Sequence, residues 1–476
     1  MARPTDPTTH RWWTLAAVSL TQLLIILDGT IVNIALPSAQ TELGLSDGSR
    51  QWVVTAYALT FGAFLLLGGR VADYWGRKRA YLLGLALFGA GSAWGGLTHS
   101  GGELLVARGV QGVAAALMAP AALAFVTLSF PDGAERNRAF AIFGSLGGAG
   151  SAIGMLLGGV LTEFLSWRWC LLINVPLVVV GVVAGAVLLQ ENRAAGDRRY
   201  DVAGAVTATL GFGLLVYGLT LAEHSWTSAA TLGTVTSGLL LVGLFVLVEH
   251  RSSRPLLPLR VLADRTRAAA FAIQGLIGMV GVGAMVYLAL HLQLVLHLPP
   301  LQAGLGTLPF TAALMGAVPA AIRMIDRVGP RRQMIVGPLI SALGLVLLTQ
   351  VSDGGSYWTE VLPGVVLMGL GMGFTVVPLN NLALHRVAPH DAGVASATIT
   401  ATNQLGGSIG LAVLTAVYTA VVGTGSMVTG NATVFAVGAG IYLTAAAVAW
   451  WLVRPERGAG PTGDDRVPEP AAAVGS

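Results

Sequence analysis

The chain has 476 residues, of which 54% are apolar and only 11% are charged, and its mean hydropathy is +0.72. A soluble domain carries about 25% charged residues, so this chain cannot cover itself with polar surface and needs the lipid bilayer as its solvent. The composition argues against a cytosolic enzyme, a secreted disulfide scaffold and a nucleic-acid-binding protein, and the net charge of +4 does not alter that. The single cysteine, Cys170, allows no internal disulfide.

Fourteen long apolar stretches follow one another along the chain, and each has roughly the 20 residues that a membrane-spanning helix needs. The predicted spans are 12–36, 51–69, 80–98, 104–127, 139–162, 169–189, 202–222, 230–248, 268–290, 303–322, 333–350, 361–383, 393–421 and 431–453. The runs are continuous rather than alternating, so they predict helices and not the strands of a membrane barrel. We therefore predict an all-α membrane protein with fourteen transmembrane helices.

The distribution of basic residues predicts the orientation of these spans. With the N-terminus in the cytoplasm, 24 of the 27 Lys and Arg residues fall in cytoplasmic segments. Two others, Arg50 and Arg168, fall outside, and Arg108 falls within a span. This asymmetry follows the positive-inside rule, and a missed or extra helix would destroy it downstream. Both termini are therefore predicted to be cytoplasmic. Because Lys78 is the only lysine, the arginine bias also suggests a GC-rich bacterial genome.

One ten-residue pattern, R-x-x-D-x-x-G-x-[KR]-R, occurs twice, at residues 70–79 and 323–332. Each copy follows the second helix of a block of six, so spans 1–6 and spans 9–14 are predicted to be two like-oriented halves. Spans 7 and 8 are then an inserted pair. A single copy of the pattern could be merely a tight turn with cytoplasmic positive charge, but the matched pair favours a repeated unit.

Four motifs resemble those of the major facilitator superfamily, and most closely its fourteen-span drug:proton antiporter branch. Residues 27–37 (LDGTIVNIALP) match the branch pattern L-D-x-T-[IV]-V-N-x-A-L-P, and residues 69–79 match the superfamily's loop between spans 2 and 3. Residues 108–112 (RGVQG) match the span 4 pattern R-x-x-Q-G, and residues 150–159 resemble the span 5 motif G-x-x-x-G-P-x-x-G-G. The resemblance covers nearly the whole chain, and the first and third motifs are specific in combination.

The resemblance implies a fold and a division of the chain. The fold is two six-helix bundles with an extra helix pair between them. The predicted parts are a cytoplasmic N-terminus (1–11), an N-terminal bundle (12–190), the extra pair (201–250), a cytoplasmic interfacial connector (251–267), a C-terminal bundle (268–453) and a disordered cytoplasmic tail (454–476).

The resemblance also implies a function. The chain is expected to export drugs, antibiotics or other lipophilic small molecules across the plasma membrane by alternating access, driven by the proton gradient and without a cofactor. Its expected partners are the substrate, protons and the bilayer, with no nucleic acid, and the protein is expected to be a monomer. The alternative within transport is a dedicated exporter of one native product, such as an antibiotic, siderophore or lipid. A membrane enzyme or a non-transporting membrane protein would need a reactive cluster or a folded extramembrane domain, and the sequence offers neither.

Of the 50 charged residues, only Asp28 and Arg108 fall inside the predicted spans. A charge at bilayer depth costs at least ~3 kcal/mol unless it is paired or hydrated, so such residues are functional candidates. Asp28 and Arg108 could share one level in the outer half of the first bundle. Burial disfavours an ionised carboxyl group and a nearby guanidinium favours it, so we predict that Asp28 couples proton transfer, with Arg108 and Gln111 controlling its protonation. The alternative is a static ion pair that fixes helix packing.

Three further groups of candidates follow from the motifs. Glu163, at the outer end of span 5, is either a coupling residue or a solvated loop residue. The span 5 glycines expected to allow close helix packing are Gly150, Gly154, Gly158 and Gly159, while Met155 stands where the family has a proline that shapes a bend. The residues predicted to form a cytoplasmic gate are Gly69, Arg70, Asp73, Gly76, Arg77, Lys78, Arg79, Asp326, Arg327, Gly329 and Arg331.

Within the predicted gate, Asp73 is expected to cap a helix of the other half or to pair with an arginine. The simpler role for the basic residues 77–79 is to anchor the loop to anionic headgroups. Polar residues at membrane depth are candidates for the substrate cavity, and each could instead serve helix packing. They are Gln22, Asn33, Tyr57, Gln274, Tyr287, Asn380, Asn381, Asn403 and Gln404.

Overall fold

A computed structural model describes residues 7–130, 134–193, 201–222, 225–252, 255–257, 259–384, 387, 392–423 and 425–453. All regular structure within these ranges is helical, without a strand. The predicted disordered tail at 454–476 and the first six residues of the predicted N-terminus lie outside the described residues.

The described chain forms sixteen α-helices and two π-helical turns, at His291–Val295 and Tyr357–Val361. The α-helices are α1 (Pro7–Leu43), α2 (Asp47–Trp75), α3 (Arg77–Leu97), α4 (Gly101–Ser129), α5 (Ala134–Phe164), α6 (Trp169–Leu172), α7 (Asn174–Leu188), α8 (Val202–Leu221), α9 (Ala229–Arg251), α10 (Arg260–Ala263), α11 (Arg265–Leu290), α12 (Pro300–Val328), α13 (Pro330–Leu348), α14 (Leu362–Ala383), α15 (Ala392–Val422) and α16 (Met427–Leu452).

Fourteen segments of the described chain are long and apolar enough to cross a membrane, which confirms the predicted number of spans. Helices α6 and α7 together make one span, and the four-residue helix α10 makes none. The first helix continues to Leu43, seven residues beyond the predicted end of span 1 at residue 36. The hydrophobic pattern ends where the apolar residues end, whereas the helical backbone hydrogen bonds continue through the polar residues that follow.

Helix contacts divide the bundle into two halves and an extra pair, as the predicted fold class requires. Helices α1–α5 and α7 pack on one another in the first half, and α11–α16 do so in the second. Helices α8 and α9 pack on each other, and α8 also contacts α2 of the first half and α15 of the second. The two halves meet directly where α2 packs on α15 and where α5 packs on α12.

Glycines explain why helices of an apolar chain pack so closely. In lipid there is little hydrophobic drive between helices, so association depends on close van der Waals contact at small residues. Between α2 and α4, an ideal Cβ on Gly68 would lie 2.1 Å from the Ala116 carbonyl oxygen, and one on Gly112 would lie 2.4 Å from the Tyr57 carbonyl oxygen. These two backbones could not approach so closely with any larger residue at either position.

The helix bundle has two ends. The motif end contains Gly76 and Gly329, the glycines of the repeated ten-residue pattern. The far end is the opposite one, where α5 ends at Phe164 and α12 begins at Pro300.

Candidate functional site

A buried hydrogen-bond network surrounds Asp28 in the first half. The Asp28 side chain is 0% exposed and that of Arg108 is 1% exposed. Nη1 of Arg108 donates to Oδ2 of Asp28 at 2.5 Å, and Nε2 of Gln111 donates to Oδ1 at 2.9 Å. Nη1 of Arg108 also donates to Oε1 of Gln111 at 3.0 Å, because the two residues lie one turn apart on α4. The structure thus brings together Asp28, Arg108 and Gln111, three of the four residues predicted to act in proton coupling.

Two members of this network, Asn174 and Ser92, were not among the predicted site residues. Nδ2 of Asn174, the first residue of α7, donates to Oδ1 of Asp28 at 2.7 Å. Oγ of Ser92 on α3 accepts from Nε2 of Gln111 at 2.8 Å. The sequence indicated a role for Asn174 only in that it is an amide near the end of an otherwise apolar span. Ser92 lies in a run of small residues, and nothing in the sequence indicated that it belongs to the network.

The remaining contacts of Arg108 extend the network to α2. Its Nε donates to the carbonyl oxygen of Val53 at 2.9 Å, and its guanidinium carbon lies 4.5 Å from the centre of the Tyr57 ring. The Tyr57 hydroxyl in turn donates to the carbonyl oxygen of Ile25 at 3.2 Å. Tyr57, predicted as a cavity residue, is therefore packed within this network, and it is 3% exposed. Five helices of the first half, α1, α2, α3, α4 and α7, meet here.

The donors around Asp28 match an ionised carboxylate, since both of its oxygens accept hydrogen bonds. A protonated carboxyl group would need an acceptor in place of one of these donors. Oδ1 of Asn174 is buried without a hydrogen-bond partner. Rotation of this amide by half a turn would present that oxygen to a proton on Asp28. The network can thus accommodate either protonation state of Asp28 through rotation of the Asn174 side chain.

The motif glycines of α5 face two different partners. Ideal Cβ atoms on Gly150, Gly154 and Gly158 would lie 3.1, 2.1 and 2.7 Å from the nearest atoms of α1. An ideal Cβ on Gly159 would instead lie 2.7 Å from the Leu301 Cα on α12. Helix α5 therefore packs on the helix that carries Asp28 and also reaches the second half.

Contacts between the halves cluster at the far end of α5 and α12. An ideal Cβ on Gly304 of α12 would lie 2.6 Å from the Met155 carbonyl oxygen. The Thr307 hydroxyl lies 2.8 Å from the Met155 sulfur. Met155, which replaces the family's proline, therefore lies within an uninterrupted α5 and contributes to the contact between the halves. Nearby, Nε2 of Gln293 donates to the carbonyl oxygen of Ile34 on α1 at 3.1 Å.

Glu163 belongs to this far-end contact. Its side chain is exposed, and its Oε2 accepts from the backbone N–H of Leu301 at 3.0 Å. Leu301 lies in the first turn of α12, where backbone N–H groups lack helical partners and a negative charge is favoured. Glu163 thus caps a helix of the opposite half.

The first motif loop, at residues 70–79, is held to the end of α7 by hydrogen bonds. Gly76 has φ = +127°, a backbone conformation that favours glycine, and it joins α2 directly to α3. Asp73 pairs with Arg77 at 2.7 Å, and Nη1 of Arg77 donates to Oδ1 of Asn192 at 3.2 Å. Nζ of Lys78 donates to the carbonyl oxygen of Ala186, in the last turn of α7, at 2.6 Å.

Other residues of the first loop contact neighbouring segments. Arg79 pairs with Glu191 at 3.5 Å. Nη2 of Arg70 donates to the carbonyl oxygen of Pro255 in the connector at 3.0 Å, and Gly69 packs against Pro120. Glu191 was not singled out in the sequence, because it belongs to no motif.

The second motif loop repeats this arrangement in the other half. Gly329 has φ = +81° and joins α12 to α13. Nη2 of Arg331, which occupies the position equivalent to Lys78, donates to the carbonyl oxygen of Trp450 in the last turn of α16 at 2.6 Å. Arg327 is exposed, and the side chain of Asp326 lies outside the described part of the chain. In both halves a basic residue two positions after the glycine caps the C-terminus of the last helix.

Replacing Lys78 or Arg331 with alanine is expected to lower the stability of the purified protein by about 0.3–1 kcal/mol each, the range for a cation at a helix C-terminus. Thermal unfolding in detergent measures this as a lower midpoint temperature. Arg332→Ala is the matched control, because Arg332 is adjacent and exposed. Equal destabilisation by the control would show that general loss of positive charge, and not capping, is responsible.

The predicted cavity residues differ in burial. Asn33 and Tyr287 are buried, and the Tyr287 hydroxyl donates to the Thr415 hydroxyl at 2.7 Å. Asn380 and Asn381 are exposed. The half-buried members of the set are Gln22, Gln274, Asn403 and Gln404.

Two close helix contacts involve members of this set. An ideal Cβ on Gly62 of α2 would lie 3.0 Å from Cβ of Gln404, and one on Gly278 of α11 would lie 2.3 Å from the Asn403 carbonyl oxygen. A separate, mainly apolar groove of about 410 Å³ between α2 and α8 contains none of the predicted residues.

Comparison with known proteins identifies the family. Residues 18–411 match the Major Facilitator Superfamily, and a second match covers residues 270–474. The chain is 40% identical over 463 residues to the puromycin resistance protein pur8 of Streptomyces alboniger, covering 94% of this chain and 92% of that protein. It is 37% identical over 415 residues to the cephamycin export protein CmcT of Amycolatopsis lactamdurans, covering 86% of this chain and 85% of that protein.

The fold is similar to that of solved transporters. The crystal structure of the peptide transporter POT in complex with sulfate superposes with a TM-score of 0.69 at 15% sequence identity, covering 94% of this chain and 97% of that one. The chain belongs to the Major Facilitator Superfamily, as its motifs predicted. It is a multi-pass membrane transporter and not an enzyme.

Proposed function

We propose that this transporter exports lipophilic antibiotics or drugs across the plasma membrane in exchange for protons. The observation that carries the coupling is Asp28, a carboxylate buried in the membrane-spanning part of the first half and held by three donors from α4 and α7. The substrate class is supported by the relatives, whose names refer to puromycin resistance and cephamycin export. The proton gradient supplies the energy, and the protein works as a monomer without a cofactor.

The proposed orientation places the motif end in the cytoplasm. It rests on the basic residues, 24 of 27 of which belong to segments on that side when the spans alternate. Both termini are then cytoplasmic, and the division of the chain into six parts remains the one predicted from the sequence.

The packing of α5 on α12 supports an alternating-access cycle. At the far end the two helices touch through Gly159 and Gly304. Toward the motif end, ideal Cβ atoms on Gly144 of α5 and Gly316 of α12 would meet nothing within 4 Å. Close contact at the far end, without such contact at these two glycines, is the arrangement expected when the substrate site faces the cytoplasm. Rocking of the halves would open the far end and bring the motif ends together.

The proton would move through the cycle on Asp28. When the far end opens, a proton from outside binds one carboxylate oxygen, and Arg108 or the Asn174 amide withdraws its hydrogen bond. When the halves return to the arrangement described above, the donors approach Asp28 again, favour the ionised form and expel the proton to the cytoplasm. Substrate leaves in the opposite direction, on the far side, during the same cycle.

Proteoliposomes containing the purified protein and a pH-sensitive dye test the proposal. Addition of a transported antibiotic is expected to drive proton movement in the direction opposite to the substrate. Uphill substrate movement that survives complete collapse of the proton gradient would contradict proton exchange.

A dedicated exporter is the second candidate, because each of the two relatives is named after a single antibiotic or antibiotic class. Susceptibility profiling of a strain that lacks the gene separates the two candidates. Broad sensitisation to unrelated compounds supports multidrug export, whereas sensitisation to a single compound supports dedicated export.

A further inference from the structure

Two acidic side chains meet at the motif end of the extra helix pair, away from the Asp28 network. Asp201 is the N-cap of α8, and its Oδ1 accepts from the backbone N–H of Gly204 at 2.7 Å. Glu249 lies in the last turn of α9, and only 2% of it is exposed. Its Oε2 accepts from the backbone N–H of Leu257 at 3.0 Å. Each carboxylate thus has one oxygen engaged with the backbone.

The other oxygen of each carboxylate is buried without a hydrogen-bond partner, namely Oδ2 of Asp201 and Oε1 of Glu249. The two groups adjoin at Gly204. An ideal Cβ on that glycine would lie 2.5 Å from Oε1 of Glu249 and 3.1 Å from Oδ1 of Asp201. Buried polar atoms almost always have a partner, and two adjacent carboxylates in a buried site do not both ionise readily.

We propose that Asp201 and Glu249 together bind one proton, in a second proton site that is independent of Asp28. The proton is carried by one of the two unpartnered oxygens, Oε1 of Glu249 or Oδ2 of Asp201. A single proton then removes one of two adjacent negative charges.

The charged surroundings of the pair couple it to the first motif loop. Glu249 faces Asp201 from α8 and Arg70 from the end of α2, and its own helix carries His250 and Arg251 in the last turn. Arg70 donates to the carbonyl oxygen of Pro255, and Glu249 accepts from the N–H of Leu257 two residues later. The connector between the extra pair and the second half is thus held from both sides, by a cation of the motif loop and by the proton-binding pair.

Infrared difference spectroscopy of the full chain in lipid nanodiscs tests the proposal without any transport substrate. A pH titration of the wild type is expected to show one carboxylic acid C=O band that is present at neutral pH. The band should persist in Asp28→Asn and disappear in Glu249→Gln. Glu103→Gln, which changes an exposed carboxyl group on α4, is the control and should retain the band.

A second variant keeps both carboxyl groups and guards against misfolding of Glu249→Gln. Gly204→Ala places a methyl group 2.5 Å from Oε1 of Glu249, so it should displace that oxygen and abolish proton binding by the pair. Gly213→Ala on the same helix is its matched control, because an ideal Cβ there meets nothing within 4 Å. The proposal is overturned if the wild type has no such band, if Asp28→Asn removes it, or if sodium or magnesium ions displace it at constant pH, which would indicate a cation site. None of these outcomes depends on whether the protein exports antibiotics.

Discussion

Replacing Asp28 with asparagine is expected to reduce substrate-driven proton movement to the level of empty vesicles while the protein remains folded. Asparagine is close to aspartate in shape and still offers an oxygen to the donors around it, but it cannot take up and release a proton. The measurement is the dye response of proteoliposomes, with folding checked by thermal unfolding in detergent. Glu103→Gln, an exposed carboxyl group on the same helix as Arg108, is the control and should retain full proton movement.

A double substitution distinguishes a role of the Asp28–Arg108 pair in proton coupling from a purely structural role in helix packing. Arg108→Gln alone leaves the buried Asp28 without its cation, which typically costs about 3–5 kcal/mol, so the single variant should unfold at a clearly lower temperature. Asp28→Asn combined with Arg108→Gln removes both charges and should recover most of that stability, because neutral replacement of a buried pair is often tolerated. If Asp28 carries the proton, the double variant stays uncoupled. Recovery of proton exchange together with stability would instead mean that the pair only fixes helix packing.

Enlarging Gly159 or Gly304 should hold the far end of the transporter open. A leucine at Gly159 would drive its Cβ into the Leu301 backbone, and one at Gly304 would meet the Met155 carbonyl oxygen. Backbone atoms cannot rotate away as a side chain can, so the helices must separate. Transport should fall to background, and spin labels at the far ends of α5 and α12 should report a longer distance than in the wild type.

Each helix of this contact provides its own control. Gly144→Leu on α5 and Gly316→Leu on α12 introduce the same side chain where an ideal Cβ meets nothing within 4 Å. Both controls should keep the wild-type distance between the far ends. Normal transport by Gly159→Leu would show that closure of this contact is not required in the cycle, and a longer far-end distance in Gly144→Leu would show that the effect is not specific to this contact.

The spans and the buried Asp28–Arg108 pair could be predicted because a polar or charged group exposed to the bilayer carries a large free-energy cost. A missing apolar run or a charge at depth carries a large cost, so the fourteen spans and the isolation of Asp28 and Arg108 are visible in one sequence. Gln111 could be added because its spacing from Arg108 places both residues on one helix face.

The rest of the network depends on how distant helices are aligned. Asn174 and Ser92 are neutral, and a neutral polar side chain at depth is common enough to carry little information. Whether Asn174 reaches Asp28 is decided by the packing of α7 on α1, which no local pattern records. The α5 glycines show the same limit, since spacing predicts close packing but does not reveal that Gly158 faces α1 while Gly159 faces α12.

The sequence predicted that each motif loop forms a tight turn, but it did not predict that each loop hydrogen-bonds to the last helix of its own half. A glycine between two helices, followed by basic residues, indicates a tight connection on the cytoplasmic side. That Lys78 and Arg331 reach the last helix of their own half depends on how each bundle of six helices closes. The cavity candidates stay a prediction for a related reason, because composition identifies polar residues but not the direction they face.

A compound that wedges between α5 and α12 at Gly159 and Gly304 would keep the two halves apart at the far end. Inhibitors often select resistant variants in which a larger side chain fills the binding site. At these two positions a larger side chain separates the helices just as the inhibitor does, because the neighbouring atoms are backbone. A resistance substitution that introduces a larger residue at either position would therefore also abolish transport. Few such substitutions could make the transporter resistant to a compound that binds this contact.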